Sequence, residues 1–418
     1  MIFNNKHWRS IRLGDVCEVT PGYAFKSTDW LNDGIPVIKI TNLLADRTVD
    51  LSNVDFVSES FLTSKVAKYL LIDGDILIAM TGATAGKVAR FRAKKINALL
   101  NQRVARIRPK LINYDFLWAV VSSSEYQKKF YDLADGAAQP NMSGSQIENV
   151  EIPYPPAEEQ KKIGLIIKNY DTLIENNTRR IAILEEMARL LYREWFVNFC
   201  FPGHEEVKMV DSPLGPIPKG WEVGRLGDFA DEVRRSVSPE QVDPETPYLG
   251  LEHFPRRSIA LLEWDMAKNV QSTKLMFKKG EILFGKIRPY FHKVGVAPID
   301  GVCSTDAIVI VPKKEDLFSL VLCTVASDEF VAYATQTSQG TKMPRANWAV
   351  LADYRVVMPN DIILKRFNAL IGEMVALIEN LVFKTRNLRA TRDLLLPRLI
   401  SGEIDVSNLG NTIMSDQT

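Results

Sequence analysis
Between residues 156 and 199, Ile163, Ile166, Tyr170, Leu173, Ile181, Leu184, Met187 and Leu191 recur every three or four positions, with Asn177 in the same series. That spacing predicts one apolar stripe along a near-heptad helix. At 1.5 Å per residue such a helix is a rod of roughly 60 Å, and a rod cannot bury its own stripe. A second stretch supplies a partner. Phe367, Leu370, Met374, Leu377, Leu381, Leu388 and Leu395 keep the spacing, and Leu173-Ile174-Glu175-Asn176 recurs verbatim as Leu377-Ile378-Glu379-Asn380. The expected arrangement is two long antiparallel heptad helices from one chain, with Asn177 in the seam fixing register at some cost in stability.

The repeat extends beyond the helices. Trp8 precedes Leu13-Gly14-Asp15 as Trp221 precedes Leu226-Gly227-Asp228, and Gly74-Asp75-Ile76-Leu77 is echoed by Gly280-Glu281-Ile282-Leu283. Gly136-Ala137-Ala138-Gln139-Pro140 falls opposite Gly340-Thr341-Lys342-Met343-Pro344. One unit of about 200 residues is used twice, which predicts an internal pseudo-twofold repeat. Each copy reads as mixed α/β (α+β): strand-like runs at 35–40, 75–80 and 104–107, or 248–251, 281–284 and 307–311, precede helical stretches at 114–131 and 317–334.

The expected organisation is a globular domain over 1–155, a helix over 156–200, a linker over 201–220, a second domain over 221–359, a second helix over 360–402 and a tail over 403–418. The linker reads as semi-rigid because proline and glycine crowd Ser212-Pro213-Leu214-Gly215-Pro216-Ile217-Pro218. Asn360 is placed to cap the second helix and Pro397 to interrupt it.

Composition works mainly by exclusion. At 418 residues the chain exceeds one core, and 46% hydrophobic with 25% charged residues is ordinary for a soluble protein. Lys plus Arg total 52 against 51 Asp plus Glu, so only local clusters can speak of partners. No apolar run suits a membrane span or signal peptide, which leaves the cytoplasm as the expected compartment. Cys17, Cys200, Cys303 and Cys323 lack ligand spacing and read as free thiols, and the four histidines are scattered, so no metal site is expected.

Catalytic motifs fail in turn. Thr81-Gly82-Ala83-Thr84-Ala85-Gly86-Lys87 is one residue short of a phosphate loop, and Val88 stands where a Ser or Thr should hold magnesium. Pro153-Tyr154-Pro155-Pro156 has the residue types of an adenine-methyltransferase motif in the wrong order, with no Gly-rich cofactor loop before it. Glu206-Val207-Lys208 could end a nuclease carboxylate motif but lacks a well-placed aspartate. The reading is a non-enzyme.

The positive signal is local charge. Residues 81–110 hold Lys87, Arg90, Arg92, Lys94, Lys95, Arg103, Arg106, Arg108 and Lys110 and no acid. In the second copy Lys278, Lys279, Lys286, Arg288 and Lys293 face Glu281 alone, with Tyr290, Phe291 and His292 interleaved. Lysine and arginine neutralise phosphates, while Arg, Asn and Gln read base edges. The candidate DNA-binding residues are Lys87, Arg90, Arg92, Lys94, Lys95, Asn101, Gln102 and Arg103 in the first copy, and Lys286, Arg288, Tyr290, His292 and Lys293 in the second. Gln139 and Asn141, with Lys342 and Arg345, form second candidate loops. The competing readings are a solvated basic face and structural turns. Where the copies agree the residues read as scaffold. Where they differ, as in 81–92 against 284–293, they would read different things.

The arrangement resembles the specificity subunit of a type I restriction–modification system over essentially the whole chain. The resemblance is carried by the Trp8 and Trp221 openings, the joint Leu214-Gly215-Pro216-Ile217-Pro218-Lys219-Gly220-Trp221, the entry 153–160 and end 190–196 of the first helix, and Leu394 to Ile404 closing the second. It implies two target-recognition domains, each reading one half of a bipartite double-stranded DNA site and held apart by two antiparallel helices. It also implies two methyltransferase (modification) subunits, which carry S-adenosylmethionine and flip an adenine in each half-site, and two restriction (motor–nuclease) subunits, which carry ATP and magnesium. No cofactor is implied on this chain. One departure is Leu-Tyr-Arg-Glu-Trp-Phe at 191–196, where the family pattern has Leu-Pro-x-Leu. The alternative is a coiled-coil adaptor or scaffold that does not bind DNA.

Overall fold
A computed structural model describes residues 8–63, 65–93, 96–134 and 141–407. The chain divides into two compact units, residues 1–172 with 389–418 and residues 173–388.

In unit 1 the strands Cys17–Pro21, Val104–Pro109, Ile76–Ala79 and Val88–Arg90 lie side by side in that order, antiparallel throughout. Ile76–Ala79 is buried along its whole length, which is why it reads as an unbroken apolar run rather than an alternating one. Helices Tyr114–Ser122 and Ser124–Ala134 contribute to the core on one side. A second sheet, ordered Asp55–Val57, Ile35–Ile38, Ala98–Leu100 and Leu70–Leu71, shares a second apolar cluster with Leu77 and Ala79. The ribbon Arg9–Arg12 with Glu151–Tyr154 brings the ends of the domain together. The turn before Ile76 needs Gly74 at φ +94°. The next residue, Asp75, receives Arg108 through Nε at 2.6 Å and a terminal nitrogen at 2.7 Å.

Unit 2 repeats the topology. Ala230–Glu232, Ala307–Pro312, Ile282–Gly285 and Val294–Val296 form the four-stranded antiparallel sheet. A five-stranded sheet lies beside it, and Glu222–Arg225 pairs with Arg355–Met358. Glu281 holds the position of Asp75 but is met from a different strand, by Arg235 at 2.7 and 2.8 Å. The expected helical stretches are each broken once by the same device. Ser123 and Ser327 cap the following turns by accepting from Tyr126 N and Phe330 N, and each hydroxyl donates to a carbonyl three residues back.

The two long helices are Ala157–Tyr192 and Asp361–Ile400. Asn360 caps the second, its side chain accepting from Ile363 N at 3.0 Å. Three readings of this region need correction. Pro397 does not interrupt the helix: it lies in the last turns, where Leu396, Leu399 and Ile400 are held in the unit 1 core, and the stop comes at Gly402 with φ +74°. The buried stripe is rotated from the expected one: Ile163, Ile167, Asp171, Ile174, Ile181 and Ala188 are buried, whereas Leu173 and Met187 are half exposed. In the verbatim repeat it is Ile174 and Ile378 that face inward, with Leu173 and Leu377 outside, and the polar seam residue is Asp171 rather than Asn177. Residues 201–220, expected as a semi-rigid linker, are packed into unit 2, since Phe201 and Ile217 are buried in its core and Phe201 stacks on Trp221 at 4.8 Å.

Candidate nucleic-acid interface
In unit 1 the hairpin from Ile76–Ala79 to Val88–Arg90 turns through residues 80–87. Two further chain segments are stitched to the start of that turn. Met80 N donates to the carbonyl of Arg103 at 2.9 Å, and Met142 N donates to the carbonyl of Met80 at 2.8 Å. Thr81 pairs with Asn141. The hairpin loop, the turn 101–103 and the segment around 141 therefore form one three-way junction, with Gln102, Arg103 and Asn141 exposed on it.

Unit 2 makes the same junction with the same backbone bonds. Lys286 N donates to the carbonyl of Asp306 and Ala346 N to the carbonyl of Lys286, both at 2.9 Å, while Ile287 pairs with Arg345. Lys342, Arg345 and Tyr290 are exposed there. Arg345 lies 3.7 Å from Asp306, an acid that sequence reasoning passed over because it falls beyond the 278–293 stretch in which charge was read. The two separately expected loops of each copy are thus a single surface.

Several basic residues are placed elsewhere. Arg90, expected on DNA, is 4% exposed, with its guanidinium 4.3 Å from the Trp118 ring centre and 5.3 Å from that of Tyr114. Burial there lowers its pKa. Arg106 is buried against the carbonyls of Lys68 and Leu70, and Arg108 is bound to Asp75. Part of the acid-free run is therefore scaffold: strand arginines satisfy carbonyls and an acid between the two sheets. His292, also expected on DNA, is 7% exposed and bonded through Nε2 to the carbonyl of Ala326 at 2.8 Å. Lys87 and Lys293 occupy equivalent half-buried positions at the end of each loop, both with pKa lowered by burial, and Lys293 donates to the carbonyl of Leu251. Asn101 borders the turn 101–103, accepting from Arg103 N at 3.4 Å, whereas Arg92 follows the far end of the hairpin, past the pairing of Arg90 with Ile76, and is not part of the junction. Lys94, Lys95 and Gln139 lie outside the described residues.

The loop that resembles a phosphate loop runs into the strand Val88–Arg90, not a helix, so no helix N-terminus stands behind it for a phosphate. Tyr154 of the Pro-Tyr-Pro-Pro segment donates to the carbonyl of Leu111 at 2.7 Å, a structural role. Burial pushes the thiols of Cys17, Cys303 and Cys323 up to about 12, which removes them as poised nucleophiles. Among the described residues no single helix is long and apolar enough to cross a membrane.

Two units of similar topology each present a polar three-way junction of the same backbone geometry. Residues 5–186 match the type I restriction modification DNA specificity domain. The MjaIX type I restriction enzyme specificity subunit of Methanocaldococcus jannaschii is 27% identical, over 97% of this chain and 95% of its own. The MjaVIII specificity subunit of the same organism is 23% identical over 96% and 94%. Among solved structures, the type I restriction–modification S subunit from M. genitalium shares the fold, with TM-score 0.56 at 14% identity over 96% of this chain and 98% of that one. The first part of the chain thus matches a type I restriction modification DNA specificity domain, and nearly the whole chain is similar to type I restriction enzyme specificity subunits.

Proposed function
We propose that the chain reads a bipartite double-stranded DNA site, each unit laying its three-way junction against one half-site. The observation that carries this reading is the doubled junction, with one backbone hydrogen-bond frame and different exposed side chains. In the first, Gln102, Arg103 and Asn141 bear the residue types that pair with base edges. The second offers Lys286, Arg288, Lys342 and Arg345. The long helices then set the half-site separation as an antiparallel pair. Support comes from each unit separately: Lys162 donates to the carbonyl of Ser407 and Arg392 to Asp171 in one, and Ile181 clusters with Ile378 and Val382 in the other. The implied whole is pseudo-twofold.

Apolar side chains left outside on these helices, Leu173, Ile183, Met187, Leu370, Leu377 and Leu394, suit the docking of two methyltransferase subunits, with two restriction subunits joining them in the cytoplasm. S-adenosylmethionine, ATP and magnesium belong to those partners. The competing reading is an adaptor whose basic loops meet acidic protein. A salt titration with random duplex DNA separates the two. Binding that weakens linearly in log affinity against log salt is expected for a DNA reader, and the absence of duplex binding at low salt would favour the adaptor.

A further inference from the structure
The hairpin pairings put residues 80–87 and 286–293 in register. Ala79 N donates to the carbonyl of Lys87 and Gly285 N to that of Lys293, each at 2.8 Å. Counting inward, Gly82 stands opposite Arg288 and Gly86 opposite His292. All four are left-handed, at φ +73°, +49°, +80° and +51° respectively. Glycine takes that conformation without steric cost, whereas a side chain with a Cβ is strained there.

Unit 2 therefore keeps two strained residues where unit 1 uses glycine. For His292 the fold gives a reason: the ring is buried, bonded to the carbonyl of Ala326 and 3.4 Å from Asp328. Arg288 is anchored through its backbone, N donating to the carbonyl of Pro344 at 2.8 Å, rather than through its side chain. Its side chain is partly exposed, reaches the carbonyl of Lys342 at only 3.4 Å, and among the described residues meets no carboxylate. Its Nε is buried without a partner, and the guanidinium lies 5.9 Å from the centre of the Phe291 ring. At the equivalent Gly82 an added Cβ would meet nothing within 4 Å, so packing does not dictate what stands at this position. The frame fixes the left-handed backbone, but packing does not require a side chain on it, and a strained side chain kept without a packing role points to function.

We propose that Arg288 is the principal base-reading residue of unit 2, and that the paired positions Gly82/Arg288, Arg103/Asp306 and Asn141/Arg345 set the difference between the sequences the two units read. The proposal rests on the DNA-recognition reading above. Arginine pairs bidentately with guanine in the major groove, so the unit 2 half-site contains a guanine specified by Arg288. Asp306 steadies Arg345 beside it. Unit 1, lacking a side chain at 82, reads through Arg103 and Asn141, residue types suited to guanine and adenine.

The test uses the full chain assembled with its methyltransferase partners. Arg288→Gly and Arg288→Lys are compared with wild type by genome-wide mapping of methylated adenine and by thermal unfolding. Arg288→Gly is expected to keep or raise the unfolding temperature while discrimination at one guanine of one half-site falls roughly ten- to hundredfold, the other half-site being unchanged. Arg288→Lys should lose less, because a point charge keeps part of the contact. An unchanged motif with Arg288→Gly, or equal weakening at both half-sites, would overturn the proposal. Failure of the DNA reading itself is seen separately, as a wild-type complex that neither binds duplex nor methylates.

Discussion
In unit 1 the indole N–H of Trp118 donates to Asp171 at 2.6 Å, and the other carboxylate oxygen receives Arg392 at 2.9 Å. The repeat puts Leu322, Val375 and Ala188 at the matching positions of unit 2, and all three line a cavity of about 150 Å³. One unit fills the place where a helix pair meets its domain with an aromatic ring and an ion pair. The other leaves space there. The junctions show the same separation of frame from filling: their backbone bonds coincide while Arg103 and Asp306, or Asn141 and Arg345, exchange chemistry. What the two units share is where the backbone bonds fall, and their side chains differ on that frame both inside and at the surface.

The sharpest way to break the comparison is to orphan the buried charge. Arg392→Ala leaves Asp171 unpaired at 7% exposure and should cost about 3–5 kcal/mol in denaturant unfolding. Asp171→Val with Arg392→Ala should cost less than Arg392→Ala alone, because the buried carboxylate leaves with its guanidinium while the Trp118 ring stays against Arg90. Next comes the loop. An added Cβ at Gly86 would lie 2.5 Å from the carbonyl oxygen of Gln127 and 2.8 Å from Tyr131 N. Gly86→Ala should therefore cost about 2–3 kcal/mol, against about 1 kcal/mol for the open Gly82→Ala. Equal costs would mean that this hairpin loop is not packed as described.

Filling the unit 2 cavity with Leu322→Trp should stabilise by about 1 kcal/mol, read as a raised unfolding temperature. A fall would show that the space is not shaped like its unit 1 counterpart. The smallest effect concerns pH. Burial lowers the His292 pKa from the ordinary 6.5, outweighing the Ala326 carbonyl and Asp328, with Arg257 and Arg189 also lowering it. The folded state thus binds this proton less readily than the unfolded one. Stability from the neutral ring is complete above about 6.5 and lost as pH falls below it toward the folded value. His292→Asn should flatten that slope. Unit 1, with Gly86 at this position, has no matching titration.

Much of this was legible in the chain. The three-or-four-residue spacing marked both helices, and the recurring Gly-Asp/Glu-Ile-Leu located the central strand of each sheet, because a strand buried on both faces must be an apolar run. The face of each helix was not legible. Leucine and isoleucine sit side by side at 173–174 and 377–378, and periodicity alone cannot say which of two adjacent apolar residues turns inward. Nor was the inward fate of Arg90, Arg106 and Arg108. A basic run looks alike whether its guanidiniums face phosphates or strand carbonyls, and only the pairing of sheets decides. The left-handed positions escaped because Arg288 and His292 hide in unit 2 a backbone pattern that glycine shows in unit 1.

The central claim is that two units of one frame read different sequences. Methylated-adenine mapping of a host carrying the complete wild-type complex tests it most directly. The expected result is a two-part motif with a fixed unspecified gap and non-identical halves. A continuous motif, or two identical half-sites in inverted orientation, would contradict it.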